Sequence, residues 1–114
     1  PSLLVTEPLG YLDFINLEMG ARVVLTDSGG MQIETTWLGI PCLTLRENTE
    51  RPITISQGTN RLVRLDTESI IEAAKEAMEE KVKRGKVPEL WDGKASCRIA
   101  EVIFRWLVEG NTRG

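Results

Sequence analysis

Residues 23–30, Val23-Val24-Leu25-Thr26-Asp27-Ser28-Gly29-Gly30, run from a β-branched apolar stretch straight into a double-glycine break, and a helical pattern follows over 31–38. Gly39 and Pro41 stop that helix, and Cys42-Leu43-Thr44-Leu45 supplies the next apolar strand. Two strands joined through a helix rather than a tight turn must lie parallel, so this stretch is a βαβ unit. Reading outward, residues 3–6 form another short apolar run. A helix over 10–19 presents Leu12, Ile15 and Met19 at helical spacing, with Phe14 and Leu17 widening the face and Gly20 after it as a C′ glycine. Beyond the unit, residues 61–65 alternate as a fourth strand. A helix over 67–84 follows, capped by Asp66 or Thr67, with Ile70, Ile71, Ala74, Ala77, Met78 and Val82 on one face. Glu79→Lys83 and Glu80→Arg84 support it as i,i+4 pairs, and Gly85 ends it. A last helix over 95–109 is expected to turn Ile99, Val102, Ile103 and Trp106 inward. The pattern predicts one α/β domain over residues 1–114, a parallel sheet with flanking helices.

Composition narrows the chemistry. The 114 residues are 41% apolar and 27% charged, an ordinary globular balance. Fourteen Lys and Arg against seventeen Asp and Glu give a net charge of −3, which argues against nucleic acid as a partner. Apolar runs stop at three residues, so neither a membrane span nor a signal-peptide core is expected within these residues. Cys42 and Cys97 are too few for a disulfide framework or a zinc site, and a cytoplasmic, reduced setting is the expectation. Cys42 sits in an apolar strand and is expected to be inert; Cys97, in a helix's first turn, is more accessible. The chain has no His, which removes the commonest general base and metal ligand. No metal and no cofactor are expected. The chain opens at Pro1 rather than Met, and on that ground is expected to be a processed or excised piece.

The strand–glycine–helix junction is the first candidate site. Open amides and the positive dipole end of a helix favour anions, and glycine lets a phosphate approach the backbone. Ser28 adds a hydroxyl donor, and Glu34, one turn further on, is placed to accept from ribose hydroxyls. By itself the Gly29-Gly30 pair fits a plain left-handed turn better than a phosphate loop, being neither GxGxxG nor a Walker A motif. Residues 46–60 make a long polar loop after the third strand, at the sheet edge where α/β proteins hold ligands. Arg51 within it could grip a diphosphate bidentately, or pair at the surface with Glu47 or Glu50. Residues 1–74 contain five arginines and no lysine, which favours discrete contacts over a diffuse basic surface. Phe14 reads as core or as an aromatic wall for a base. Trp37, Trp91 and Trp106 read as packing residues.

Taken together, TDSGGMQIETTWLGIPCLTLRENTERP (26–52) and GTNRLV (58–63) resemble the non-hydrolysing UDP-N-acetylglucosamine 2-epimerases, and PLGYLDF (8–14) and WDGKAS (91–96) are similar to the same family at matching distances. The resemblance implies the later part of the C-terminal half of a glycosyltransferase-B fold, two Rossmann-like halves with the substrate between them. It implies that Ser28, Gly29 and Gly30 hold the diphosphate, Glu34 the ribose, Arg51 the UDP moiety and Phe14 the uracil region, with a main-chain contact at Leu9. It also implies inversion at C2 of the sugar by elimination and re-addition of UDP, within cell-surface polysaccharide biosynthesis. The family's proton-transfer carboxylates and its substrate-contacting His belong to sequence preceding Pro1, so no catalytic residue is assigned here. The implied partners are a UDP-sugar, the N-terminal part of the same enzyme and, at full length, a second copy. Ile33 and Ile53 depart from the family pattern, where acids are common. A glycosyltransferase of the same architecture, a hydrolysing epimerase and a non-catalytic UDP-sugar-binding domain are the competing readings.

The resemblance also numbers the strands. In a 3-2-1-4-5-6 sheet, residues 3–6 would be strand 3, and 23–26, 42–45 and 62–65 strands 4, 5 and 6. With strands 1 and 2 outside the chain, residues 3–6 are expected to slide in beside 23–26 and cover the open edge.

Overall fold

The computed structural model describes residues 2–79 and 86–110. Among them the order is α1 (Tyr11–Met19), β1 (Val24–Thr26), α2 (Gly29–Leu38), β2 (Cys42–Thr44), α3 (Ile53–Ser56), β3 (Asn60–Leu62), α4 (Thr67–Met78) and α5 (Ala95–Gly110). The strands form one parallel sheet in the order β1-β2-β3, with Val24 opposite Cys42 and Cys42 opposite Asn60. Both connections run through helices, as parallel pairing demands.

Local chemistry explains the boundaries. Asp66 caps α4: its carboxylate accepts from the Ser69 amide at 2.8 Å and from the Ser69 hydroxyl at 2.8 Å. Those hydrogen bonds hold its carboxyl below the usual carboxylate range. Gly39 ends α2 at φ 75°, the left-handed conformation that glycine tolerates best. Gly20 also ends its helix, but at φ −92°, so no left-handed C′ turn forms there. Before α5, Asp92 accepts from the Lys94 amide at 2.9 Å and takes both Arg98 nitrogens, at 2.9 and 3.1 Å. Arg98 also donates to the Leu90 carbonyl, which fixes the WDGKAS loop onto the helix it precedes.

The apolar core is small. Leu43, Val63 and Ala73 form it, with Val23, Leu45, Ile70 and Ala74 packed against them. Cys42 is fully buried in β2 and Cys97 exposed on α5, as expected.

Three expectations fail. Residues 3–6 form no strand, and Leu3, Leu4 and Val5 stand 76%, 80% and 85% exposed. A strand beside β1 would need an apolar helical face over it, yet α1 leaves Leu12 and Leu17 in solvent. Among the described residues β1 therefore remains an edge strand. The last helix forms at the expected place, but Ile99, Val102, Ile103 and Trp106 face solvent and no residue of α5 is buried. Trp37 is likewise exposed rather than packed. The Cα radius of gyration, 18.6 Å, exceeds the about 13 Å of a compact domain this long for the same reason. The fourth strand sits slightly earlier than predicted, at Asn60–Leu62, leaving Val63 buried just beyond it. Helix α4 ends at Met78 with Glu79 as its C-cap, short of the predicted 67–84; residues 80–84, and with them the partners of the Glu79–Lys83 and Glu80–Arg84 pairs, lie outside the described residues.

Candidate functional site

The loops that leave β1 and β2 emerge at the carboxyl ends of adjacent parallel strands, and the start of α2 lies between them. Ser28 is the N-cap residue of α2, with extended backbone (φ −82°, ψ 131°). Its amide donates to Thr26 Oγ1 at 3.0 Å, which sets the turn, while its hydroxyl makes no capping bond and is exposed. Among the described residues the junction thus keeps a free hydroxyl beside first-turn amides that no side chain occupies.

The glycines discriminate between the two readings of this junction. Neither Gly29 nor Gly30 has positive φ; both are ordinary helical residues. A Cβ at Gly30 would come no nearer than 3.9 Å to another heavy atom, Ser28 Oγ, and one at Gly29 would sit 3.5 Å from Glu50 Oε2. The plain left-handed turn is therefore wrong, and the fold alone requires no glycine at either position. Gly58 is the contrast. There a Cβ would collide with Thr36 and come within 2.6 Å of the Thr54 carbonyl, so close packing of α2 on α3 explains it fully.

The second loop is bound to α2 by a buried polar network that the sequence reading missed. Gln32, fully buried, accepts at Oε1 from Thr49 Oγ1 (2.5 Å) and Asn60 Nδ2 (2.9 Å), and donates from Nε2 to the Ser28 carbonyl (3.3 Å). Asn60 also donates to Thr54 Oγ1 at 3.0 Å and accepts from Thr44, and Thr54 donates to the Arg51 carbonyl at 2.6 Å. One side chain therefore ties the Ser28 turn, the 49–54 loop and β3 together. A signal was available: Gln32 follows Ser28 by one helical turn and sits between apolar Met31 and Ile33.

Arg51 is exposed, its amide donating to Thr49 Oγ1 at 2.9 Å. The surface pairing considered for it goes elsewhere, because Arg46 holds Glu50 at 2.8 Å and keeps its carboxyl below the ordinary range. Among the described residues the Arg51 guanidinium forms no ion pair. Glu34 is half-buried on α2 and lies against Glu18 of α1. Phe14, half-buried, is one turn before Glu18 on α1, so the Glu18–Glu34 contact links the aromatic position to the helix carrying Ser28. Leu9 is partly exposed in extended chain just before α1. Ser28, Gly29, Gly30 and Arg51 are thus brought to one edge, Glu34 stands one turn deeper, and Phe14 connects only through Glu18. Among the described residues no cluster of His, Cys, Asp and Glu is arranged to hold a metal ion.

A parallel sheet whose carboxyl-end loops converge on a helix start places the chain in the Rossmann-like α/β class, as expected. Within that class, the chain belongs to the UDP-N-acetylglucosamine 2-epimerase family, whose model matches residues 1–104. A UDP-N-acetylglucosamine 2-epimerase from Methanocaldococcus jannaschii is 46% identical over 99 residues, covering 87% of this chain and 26% of the relative. One from Bacillus subtilis is 40% identical over 102 residues, covering 86% and 27%. The crystal structure of the Methanocaldococcus jannaschii enzyme in complex with UDP-GlcNAc and UDP superposes with a TM-score of 0.74 at 42% identity, over 87% of this chain and 27% of that one. The Neisseria meningitidis enzyme bound to UDP-GlcNAc gives 0.67 at 34% identity, over 88% and 28%. The chain spans about a quarter of the length of the relatives it matches.

Proposed function

We propose that this chain is the UDP-binding part of a UDP-N-acetylglucosamine 2-epimerase that interconverts UDP-N-acetylglucosamine and UDP-N-acetylmannosamine. The observation that carries the reading is the glycine pair. Gly29 and Gly30 are helical, with room for a methyl group, so their glycine identity reserves space for a ligand rather than serving the backbone. A diphosphate meets that need: it fits the first-turn amides of α2, the free Ser28 hydroxyl and the unpaired Arg51 guanidinium. Glu34 accepts from the ribose hydroxyls, and Phe14 with the main chain at Leu9 borders the uracil. During elimination the glycosidic bond breaks and UDP takes up the electron pair. Amides already oriented at a helix start stabilise that charge with little reorganisation, and they retain UDP until it adds back to the unsaturated sugar.

The proton transfers at C2 fall to carboxylates in polypeptide preceding this chain, which also supplies the other wall of the cleft. The exposed apolar stripe of α5 supports such a partner, being a helix face that water covers poorly. On this reading the isolated chain has no epimerase activity, and the full enzyme is a cytoplasmic homodimer. Among the described residues no helix is long and apolar enough to cross a membrane.

Gly30→Ala tests the reading. It should leave the melting temperature unchanged or slightly raised, since alanine suits a helix better than glycine. UDP affinity in the full enzyme, measured by calorimetry, should drop sharply because the new methyl occupies the phosphate's approach. Wild-type affinity in Gly30→Ala would refute it.

A further inference from the structure

Glu18 is the one acidic side chain that the described structure buries, at 4% exposure. Both carboxyl oxygens are closed to solvent and no N–H or O–H donor of another described residue reaches them, which leaves the Glu34 carboxyl as the polar group in contact. It stands in the last turn of α1, where the helix dipole also disfavours negative charge. The ionisable groups that face it are the Glu34 carboxyl from α2 and the Cys42 thiol from β2. No cation among the described residues pairs with it; Arg22, on the chain leading out of α1, donates instead to the Met78 carbonyl at 2.6 Å. Two carboxyl groups in contact without a cation cannot both ionise cheaply, and the buried one keeps the proton.

We propose that Glu18 is a positioning residue for Glu34: as the neutral acid it donates its proton to the Glu34 carboxylate, fixing one orientation and leaving the remaining lone pairs free for a ribose diol. The proposal rests on the reading that Glu34 meets the ribose. Burial first, and then the Glu34 carboxyl, push the Glu18 pKa from 4.5 up to about 7. As pH rises through that value Glu18 loses its proton, the donor disappears and two adjacent carboxylates repel. Ribose recognition then weakens within the neutral range. The Cys42 thiol does not compensate, because its own burial raises its pKa and keeps it neutral there.

The experiment is a calorimetric titration of the full enzyme with UDP-N-acetylglucosamine from about pH 5.5 to about 8.5; the diphosphate diester of that ligand does not ionise in this range. The wild type should lose about tenfold in affinity across the neutral range. Glu18→Gln, which keeps a donor but cannot ionise, should hold the low-pH affinity at every pH. Glu18→Leu should bind weakly throughout, with a flat profile. A flat wild-type profile, or the same step in Glu18→Gln, overturns the proposal. If Glu34→Ala binds as tightly as the wild type, the ribose reading has failed instead. In that case carbon-13 titration of the glutamate carboxyls decides the pair on its own: a step near neutrality lost in both Glu18→Gln and Glu34→Gln sustains the shared proton, and its absence overturns it.

Discussion

Residues 24–63 and α5 solve the burial problem in opposite ways. In the first region much of what is buried is polar: Gln32, Thr35, Thr36, Thr44, Thr54, Thr59 and Asn60 are all closed to solvent. A single amide, that of Gln32, bonds to three separate segments of that region. In α5 the reverse holds. Ile99, Val102, Ile103 and Trp106 make a clean apolar stripe, yet they lie in solvent while polar loops elsewhere are buried. Hydrogen bonding can close most of a region from within: Gln32, Thr35, Thr44, Thr54 and Asn60 find partners a few residues away or across one strand, and among the described residues only the Thr36 and Thr59 hydroxyls are buried there without one. An apolar helix face has no such internal solution and must wait for another surface. The candidate site therefore stands on the self-contained region, and α5 is the part of the chain that calls for a partner layer.

The largest effect should come from Gln32→Ala. It would leave the Asn60 amide, the Thr49 hydroxyl and the Ser28 carbonyl without their shared partner, at a cost of about 3 kcal/mol in unfolding free energy. Denaturant melts would read it. A loss no larger than that of a surface substitution would mean the polar region is not held from within. Next in size, Glu34→Ala and Arg51→Ala should each weaken UDP binding by about 2 kcal/mol in the full enzyme, with little change in stability. That separation between affinity and melting temperature is the signature of residues that the buried network displays but does not use.

A smaller loss is expected for Asp66→Ala, which removes the α4 cap at the rim of the same region. The Asp66 carboxyl is held below its ordinary 3.8 in the folded chain, so its contribution is present above that value and fades as pH falls through the folded pKa. Thermal melts at neutral and strongly acidic pH should therefore differ less in Asp66→Ala than in the wild type. Smallest of all, Ile103→Ser and Trp106→Ser in the isolated chain should each change stability by no more than about 0.5 kcal/mol, since both side chains are already in water. In the full enzyme the same substitutions should cost several times more. Equal, negligible effects in both settings would show that nothing covers α5.

The sequence by itself determined the elements and their class. The β-branched run before Ser28, the Gly39 and Pro41 stops and the Asp66 cap are local signals, decided by residues within a turn of one another. That is why α1, α4 and α5 begin within a residue of where expected, while α2 starts two residues early by taking in Gly29 and Gly30, and why the parallel sheet was legible from the helices between its strands. It also brought Ser28, Gly29, Gly30, Glu34 and Arg51 into consideration, because each is a chemically distinct residue at a loop or helix position where ligands bind. The tertiary structure alone decided what those residues do among themselves. Whether Gly29 and Gly30 make a turn depends on φ, and φ there is set by how α2 packs against β2, β3 and α3. Whether Arg51 is free depends on Arg46 taking Glu50 first. The roles of Gln32 and Glu18 come from neighbours up to twenty-eight residues away in sequence, which no local pattern encodes. For the same reason the apolar runs at 3–6 and in α5 misled: hydrophobic spacing says that a face should be buried, and only the packing of distant segments says whether the surface that buries it is there.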